Sequence, residues 1–121
     1  MALIGLGQKA PNFSLRDQKG DEHTLTGCRG KSVILYFYPK DMTPGCTTQA
    51  CEFNEQLALL KRKDIYLFGV SADSEARHTK FAEKYGLQFP LLSDSELVTC
   101  KDYGVWQEKK LYGKTSMGIV R

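Results

Sequence analysis

Two continuous hydrophobic runs dominate the pattern of the chain, at residues 32–38 (SVILYFY) and 65–70 (IYLFGV). Neither run alternates with charged positions, and both are rich in β-branched and aromatic residues. Runs of this kind are typical of strands buried on both faces of a parallel sheet. Pro39 follows the first run and ends it, because proline has no N–H to donate to a neighbouring strand. We therefore predict two central strands of a parallel sheet.

The segment after Pro39 has the periodicity of an amphipathic helix. Its apolar positions recur at steps of four, three, four and three, at Cys46, Ala50, Phe53, Leu57 and Leu60. Thr43 and Pro44 mark the start, since a hydroxyl at the N-cap and proline at the first helical position both favour helix initiation. The pattern predicts a helix over residues 44–63, with Cys46 in its first turn on the side that faces the core.

Turn-forming residues mark the limits of two further predicted elements. Residues 11–27 suggest a short hairpin around a turn at residues 19–21 (KGD). Residues 74–85 predict a helix with Asp73 or Ser74 as its cap and a glycine stop directly after it.

The last part of the chain carries weaker signals. In order, we predict a strand at residues 89–92, a capping box of Ser93 and Glu96, a brief helix ending before Gly104, an irregular stretch at residues 105–113 and a strand at residues 116–121. Alternating strands and helices imply one α/β domain over residues 1–121, with a parallel core. Cys46 then follows the carboxyl end of a strand, where open α/β sheets usually bind ligands.

Composition narrows the class of protein. The 121 residues are 41% hydrophobic and 26% charged, which suits a single globular domain with a real core. The net charge is +3 with scattered basic residues, so we expect no nucleic-acid partner. No apolar run approaches the ~18 residues of a membrane span, and the N-terminus lacks the pattern of a signal peptide. We expect a cytoplasmic protein, in which a close cysteine pair is catalytic, redox-active or metal-binding.

Cys46 and Cys51 are the residues in which we expect the chemistry. The first turn of a helix has unpaired N–H groups and the positive end of the helix dipole, which favour a nucleophilic thiolate at Cys46. In an ideal helix, residues five apart have Cα atoms roughly 8–9 Å apart, whereas a disulfide needs about 4.4–6.8 Å. The two cysteines can therefore form a disulfide only if the first turns of the helix unwind.

The other cysteines and the histidines have simpler interpretations. Cys28 and Cys100 are expected to be small core hydrophobes. His23 and His78 are expected to be ordinary surface or half-buried histidines, although a Cys–His hydrolase dyad stays open. The spacing Cys-x4-Cys is poor for zinc and no further ligands complete a site, so we expect no metal.

The sequence YFYPKDMTPGCTTQACEF, residues 36–53, resembles the peroxiredoxins, and in particular their bacterioferritin-comigratory-protein or peroxiredoxin Q branch. The family pattern Pro-x-x-x-Thr-x-x-Cys is matched by Pro39, Thr43 and Cys46, and the second cysteine of the branch by Cys51. The similarity continues through GVSADS, FPLLSD, YGVWQEK and YGKTSMGIVR, and so covers nearly the whole chain.

The resemblance implies a thioredoxin-like fold, with a central mixed sheet flanked by helices, and a thiol peroxidase. Cys46 would be the peroxidatic cysteine, which attacks a peroxide and becomes a sulfenic acid. Cys51 would resolve it as an intramolecular disulfide, which thioredoxin or a similar dithiol protein would reduce. The resemblance implies no metal or organic cofactor.

Three other residues match positions with a role in the family. Thr43 would accept a hydrogen bond from the peroxide and interact with the thiolate, and Pro39 would shield the pocket from water. Arg121 would stabilise the thiolate and polarise the peroxide. Family members usually continue beyond this arginine, so we expect a truncated domain that lacks its last strand and helix segments.

Alternative functions use the same cysteines differently. A redox sensor would switch a partner-binding surface with the Cys46–Cys51 pair, without sustained turnover. An inactive folded module and a thioredoxin-like disulfide exchanger are further alternatives, the last disfavoured because the pair is not Cys-x-x-Cys. An intramolecular disulfide requires no second subunit, so we expect a monomer, with a dimer as the alternative.

Overall fold

The computed structural model describes residues 7, 9–28, 30–111 and 114–119. The elements, in chain order, are β1 (Ser14–Arg16), β2 (Glu22–Thr24), a 3₁₀ turn (Thr26–Cys28), β3 (Ser32–Phe37), α1 (Pro44–Arg62), β4 (Ile65–Ser71), α2 (Glu75–Tyr85), β5 (Leu91–Ser93), α3 (Val98–Asp102), β6 (Trp106–Leu111) and β7 (Lys114–Ile119). Within the described residues, none of the helices has the length and apolar character needed to span a bilayer.

The main sheet is mixed and has the strand order β2-β1-β5-β4-β3. Strands β3, β4 and β5 are parallel, which confirms the predicted parallel core. The β1–β2 hairpin, also predicted, extends the sheet antiparallel to β5, with Arg16 opposite Ser93. β6 and β7 form a separate antiparallel pair.

Two hydrophobic clusters cover the two faces of the main sheet. Helices α1 and α2 pack on one face, around Tyr36, Leu67 and Leu91. The other face packs against α3 and the second hairpin, around Phe37, Val70 and other apolar residues. Neighbouring residues of a strand belong to different clusters, because successive side chains along a strand point to opposite faces of the sheet. The domain is therefore three-layered, with the sheet between helices.

Strand β3 is less buried than predicted. Its first residue is exposed and the next three are half-buried, so only Tyr36 and Phe37 meet the expectation of a strand buried on both faces. The reason is its position, because β3 is the outermost strand of the sheet over the part of the chain that the structure describes.

Both long helices begin and end as predicted. Along α1 the predicted apolar face packs into the core, with Cys46, Ala50 and Leu57 buried. The Ser74 hydroxyl caps α2 by accepting from the Arg77 N–H. Gly86 ends α2 with a φ of 64°, a left-handed conformation that glycine adopts without a side-chain clash.

The predicted capping box of Ser93 and Glu96 is wrong. The Ser93 hydroxyl donates to the Asp73 carbonyl at 2.6 Å and caps no helix. The buried Asp94 carboxylate instead accepts from the Thr99 and Cys100 N–H groups at the start of α3. A carboxylate reaches two amides at once, which a single hydroxyl cannot do as well.

Two segments near the C-terminal end also differ from prediction. The strand predicted at residues 89–92 is observed as Leu91–Ser93, with the Pro90 carbonyl accepting from the Gly69 N–H just before it. The stretch predicted as irregular contains β6, which pairs with β7 from Trp106–Ile119 to Leu111–Lys114. Pairing across the hairpin stabilises β6, and this contribution is not visible in its own sequence pattern. Of the strand predicted at residues 116–121, residues 116–119 belong to β7, and residues 120 and 121 lie outside the described residues.

Candidate active site

Cys46 is the third residue of α1, directly after the loop that leaves β3. Its side chain is 1% exposed and belongs to the core cluster that contains Tyr36, Tyr38 and Ala50. Proline at the first helical position fixes the entry into the helix. The first turn of a helix has unpaired N–H groups and the positive end of the dipole. Cys46 lies in that turn and is shielded from bulk water.

Cys51 lies on the same helix and is half-buried. No disulfide joins it to Cys46, and α1 is continuous from Pro44–Arg62 through both residues. Residues five apart in a continuous helix have Cα atoms roughly 8–9 Å apart, which is too far for a disulfide. Formation of a Cys46–Cys51 disulfide requires the first part of α1 to unwind.

Thr43 is the N-cap of α1 by position, but its hydroxyl does not cap the helix. The hydroxyl instead donates to the Lys40 carbonyl at 2.9 Å, so the predicted hydroxyl cap is wrong. The reason is local, because Lys40 lies three residues back in a tight turn whose carbonyl is within reach. The lone pairs of the Thr43 oxygen remain able to accept a hydrogen bond.

The loop between β3 and α1, residues 38–43, is called the reactive loop below. Pro39 within it is half-buried, and Met42 has a φ of 69°, a left-handed conformation uncommon for a residue with a side chain. The Asp41 N–H donates to the Asp73 carboxylate at 2.8 Å. The loop is thus held in a defined and partly strained conformation immediately before Cys46.

A buried polar network lies beneath the reactive loop. Asp41 is 1% exposed and accepts from the Tyr38 hydroxyl at 2.6 Å. Its other oxygen is 2.6 Å from Nδ1 of His78, whose Nε2 contacts the Leu92 carbonyl at 3.0 Å. His78 is fully buried, so its interpretation as an ordinary surface or half-buried residue is wrong.

His23 is half-buried, as expected, and pairs with Asp17 in the β1–β2 hairpin at 2.7 Å. His23 lies on β2, the strand farthest from β3 in the sheet order, and Asp17 directly follows β1. Burial alone would raise the pKa of Asp17, but the hydrogen bonds from His23 and the Lys19 and Asp21 amides outweigh it and lower that pKa.

Tyr36 is a further side chain of the site that the sequence did not indicate. Its ring stacks on Phe53 with 4.5 Å between centroids, and its hydroxyl is buried without a hydrogen-bond partner among the described residues. Burial raises the pKa of Tyr36, and the nearby acidic groups Asp41, Cys46 and Cys51 raise that pKa further. The Tyr36 hydroxyl therefore lies within electrostatic reach of both cysteines.

The other two cysteines are buried in the opposite cluster, as predicted. Burial raises the pKa of Cys28, and burial together with the hydrogen bond and charge of Asp94 raises the pKa of Cys100 strongly. Both thiols are thus poor nucleophiles.

Arg121, assigned a role from the family resemblance, lies outside the described residues. Across the described ranges no group of three or more His, Cys, Asp or Glu is arranged to hold a metal ion.

Asp41 and His78 were missed because they are 37 residues apart in the chain. One signal was present: His78, Phe81 and Ala82 are spaced by three and one residues on the buried side of α2. A histidine on the apolar face of a helix needs polar partners in the core. The pattern could thus have indicated a buried histidine, but not which carboxylate meets it.

A three-layered domain with a mixed sheet, and a buried cysteine in the first turn of the helix after β3, define a thioredoxin-like thiol enzyme. Residues 6–121 match the AhpC/TSA family, and the chain belongs to that family. It is 47% identical to peroxiredoxin Bcp of Bacillus subtilis, over 98% of this chain and 75% of the relative. It is also 47% identical to peroxiredoxin Bcp of Escherichia coli K12, over 100% of this chain and 78% of that relative.

Solved structures agree with the sequence relatives. The bacterioferritin comigratory protein of Xanthomonas campestris, studied for alkyl peroxide reduction, superposes with a TM-score of 0.83 at 39% identity, over 88% of this chain and 68% of that one. A cysteine-to-serine mutant of PrxQ from Xylella fastidiosa superposes with a TM-score of 0.85 at 36% identity, over 98% of this chain and 74% of that one. The chain is a peroxiredoxin of the Bcp and PrxQ kind, and therefore a thiol peroxidase.

Proposed function

We propose that this protein reduces peroxides through Cys46 as the peroxidatic cysteine and Cys51 as the resolving cysteine. The observation that supports it best is the placement of Cys46, buried in the first turn of α1 with Cys51 five residues further along the same helix. The positive end of a helix dipole favours a thiolate nucleophile, and burial excludes competing water. A resolving thiol in the same helix needs only a local rearrangement to reach it.

The cycle has three balanced steps. The Cys46 thiolate attacks one peroxide oxygen, and the O–O bond breaks. A sulfenic acid forms at Cys46, and the other oxygen leaves in water or an alcohol. The Cys51 thiol then attacks the sulfenic sulfur, so that an S–S bond forms and the sulfenic oxygen leaves as water. A dithiol reductant finally exchanges with the disulfide, is itself oxidised, and returns both cysteines to thiols.

Residues of the reactive loop assist the first step. The Thr43 hydroxyl donates to Lys40, so toward a peroxide its oxygen acts as an acceptor for the peroxide O–H. Pro39, half-buried in the same loop, limits the access of water. For Arg121 we propose the role that the resemblance implies, stabilisation of the thiolate and polarisation of the peroxide.

Partners follow from the cycle. The peroxide is hydrogen peroxide or an organic hydroperoxide, the latter supported by the alkyl peroxide work on the Xanthomonas relative. Thioredoxin is the proposed reductant, because the cycle consumes one dithiol per turnover. A supply of reduced dithiol protein is a property of the cytoplasm, so we propose that compartment. A disulfide within one helix needs no second subunit, and we propose a monomer.

The test is to mix reduced protein with less than one equivalent of hydrogen peroxide and map disulfides by non-reducing peptide mass spectrometry. We expect a rapid Cys46–Cys51 disulfide, none in Cys46→Ser, and a trappable Cys46 sulfenic acid in Cys51→Ser. Cys28 should remain a thiol and serves as the internal control. A Cys46 that is still a thiol after Cys28 has oxidised would contradict the proposal.

A redox switch is the second candidate, because disulfide formation must unwind the start of α1 and withdraw Cys46 from the core. Both functions share the disulfide, so sustained turnover separates them. With thioredoxin, its reductase and NADPH, a peroxidase consumes peroxide continuously. A switch consumes one equivalent and stops.

A further inference from the structure

The reactive loop is attached to the body of the domain, and not to the helix that carries Cys46. The Asp41 side chain binds His78 of α2 and Tyr38. Tyr38 is the first residue of the reactive loop, and its N–H donates to the Val70 carbonyl of β4. Its N–H donates to Asp73, and its carbonyl accepts from Arg77 at 3.5 Å. Apart from Tyr38, the partners of Asp41 therefore belong to α2 or to the β4–α2 connection.

The contact between Asp41 and His78 has a defined proton arrangement. The Leu92 carbonyl can only accept, so the imidazole Nε2 must carry a proton and donate it. The second imidazole nitrogen and the second Asp41 oxygen, 2.6 Å apart, then share one proton between them. With Tyr38 donating to the first oxygen, no group of this network is left without a partner. A fully paired buried network is rigid, whereas a half-paired one is costly.

The network lies at the boundary between a fixed and a moving part of the chain. Downstream of Thr43, the first turns of α1 must unwind for Cys46 to reach Cys51. Upstream, Met42 keeps a left-handed backbone that surrounding contacts have to maintain. Asp41 is the residue immediately before Met42, and its bonds do not involve α1.

On the basis of the proposed peroxidase function, we infer that Asp41 and His78 are positioning residues for Cys46. They fix the reactive loop on α2 and β5. The first turn of α1 can then refold against a loop of unchanged conformation after each cycle. Neither side chain touches the peroxide. Their effect is on the geometry in which the thiolate meets its substrate, and misplacement of about 1 Å can reduce such a rate by roughly 10²-fold.

The inference separates two rates. Reaction of Cys46 with peroxide needs the folded first turn and a correctly placed reactive loop. Disulfide formation needs the unwound turn, for which the anchor is not required. Loss of the anchor should therefore slow the first step and leave the second unchanged or faster.

The experiment measures both rates by stopped-flow in Asp41→Ala, His78→Leu and the double variant. We expect each single variant to react with hydrogen peroxide at least about tenfold more slowly, with disulfide formation unchanged within about threefold or faster. The double variant should lose no more than the slower single variant, because the two side chains act as one unit.

A matched control and a conservative variant separate positioning from general destabilisation. Asp17→Ala and His23→Leu disrupt the other Asp–His pair, which has a similar 2.7 Å contact in the β1–β2 hairpin. They should leave the peroxide rate within about threefold of wild type. Asp41→Asn should recover most of the rate, because an amide can accept from Tyr38 and donate to a neutral His78.

Three results would overturn the inference. They are a peroxide rate unchanged in folded Asp41→Ala and His78→Leu, an equal loss in the hairpin control variants, and a parallel loss in both rates. If Asp41→Ala does not fold, Asp41→Asn combined with His78→Leu gives the same comparison. Wild type is measured alongside: if it fails to react at Cys46, the proposed function fails, whereas a reactive wild type confines any failure to the anchor.

Discussion

Tyr36 and Gly69 are register partners on the neighbouring parallel strands β3 and β4. A Cβ added at Gly69 would lie 2.9 Å from the ring carbon Cζ and the hydroxyl oxygen of Tyr36. It would also lie 3.1 Å from a methyl group of Leu91. The absence of a side chain at Gly69 thus provides the space in which Tyr36 lies, near Cys46 and Cys51.

We predict that Gly69→Ala lowers the free energy of unfolding by about 1–3 kcal/mol, since overpacking must displace the Tyr36 ring. Urea unfolding of the reduced protein measures the effect. Displacement of Tyr36 should also slow the reaction of Cys46 with peroxide.

Tyr36→Phe is the companion variant. It removes a buried hydroxyl with no hydrogen-bond partner among the described residues, so it should leave stability unchanged or raise it by about 1 kcal/mol. A loss of more than about 1 kcal/mol would show that the hydroxyl makes a stabilising interaction after all.

At the scale of elements, α1 combines a stable and a transient part. Its C-terminal half packs Leu57 into the core, with Phe53 and Leu60 partly buried beside it. Its first turn holds Cys46 and leads to Cys51, whose pairing is incompatible with continuous helix. In the proposed cycle, the C-terminal half of α1 therefore serves as a packing element, and its first turns take part in the redox step.

We predict that oxidation unwinds only the start of α1. In the disulfide form, amides of residues 46–51 should exchange with deuterium much faster than in the reduced protein, while residues 55–62 keep their protection. Far-UV circular dichroism should show a loss of roughly one to two helical turns. Cys51→Ser treated in the same way is the control and should keep its helix. Equal protection of residues 46–51 in both redox states would contradict the prediction.

Across the whole molecule, the sheet ends in a hairpin whose turn is organised by one carboxylate. Asp17 accepts from the Lys19 and Asp21 amides and from His23, and the His23 ring lies 5.1 Å from that of Phe68. The hairpin thereby covers part of the second hydrophobic cluster. Its integrity contributes to the stability of the whole domain.

Because the pKa of Asp17 is lowered in the folded state, its ionisation favours folding above its ordinary value of 3.8. That stability should be lost as the pH falls below 3.8 toward the lowered pKa. We predict a shallower loss of unfolding free energy across this range for Asp17→Asn, which is less stable at neutral pH. Denaturant unfolding from pH 6 to pH 2 measures it, and identical slopes for the two proteins would contradict the prediction.

The sequence alone determined the features that depend on neighbours along the chain. The parallel strands, α1 with its apolar face, the caps of α2 and the position of Cys46 all follow from periodicity, proline and glycine within a few residues. The resemblance carried by residues 36–53 added the family, which the comparisons confirm. The roles of the five site residues, Pro39, Thr43, Cys46, Cys51 and Arg121, stay predictions.

Tertiary structure decided what depends on residues distant in sequence. The Thr43 hydroxyl turned to Lys40, Asp94 replaced the predicted cap of α3, and β6 formed against β7. The meeting of Asp41 with His78 depends on α2 packing against the reactive loop, 37 residues away. A buried polar group must find a partner somewhere in the core, but only the packed fold determines which one.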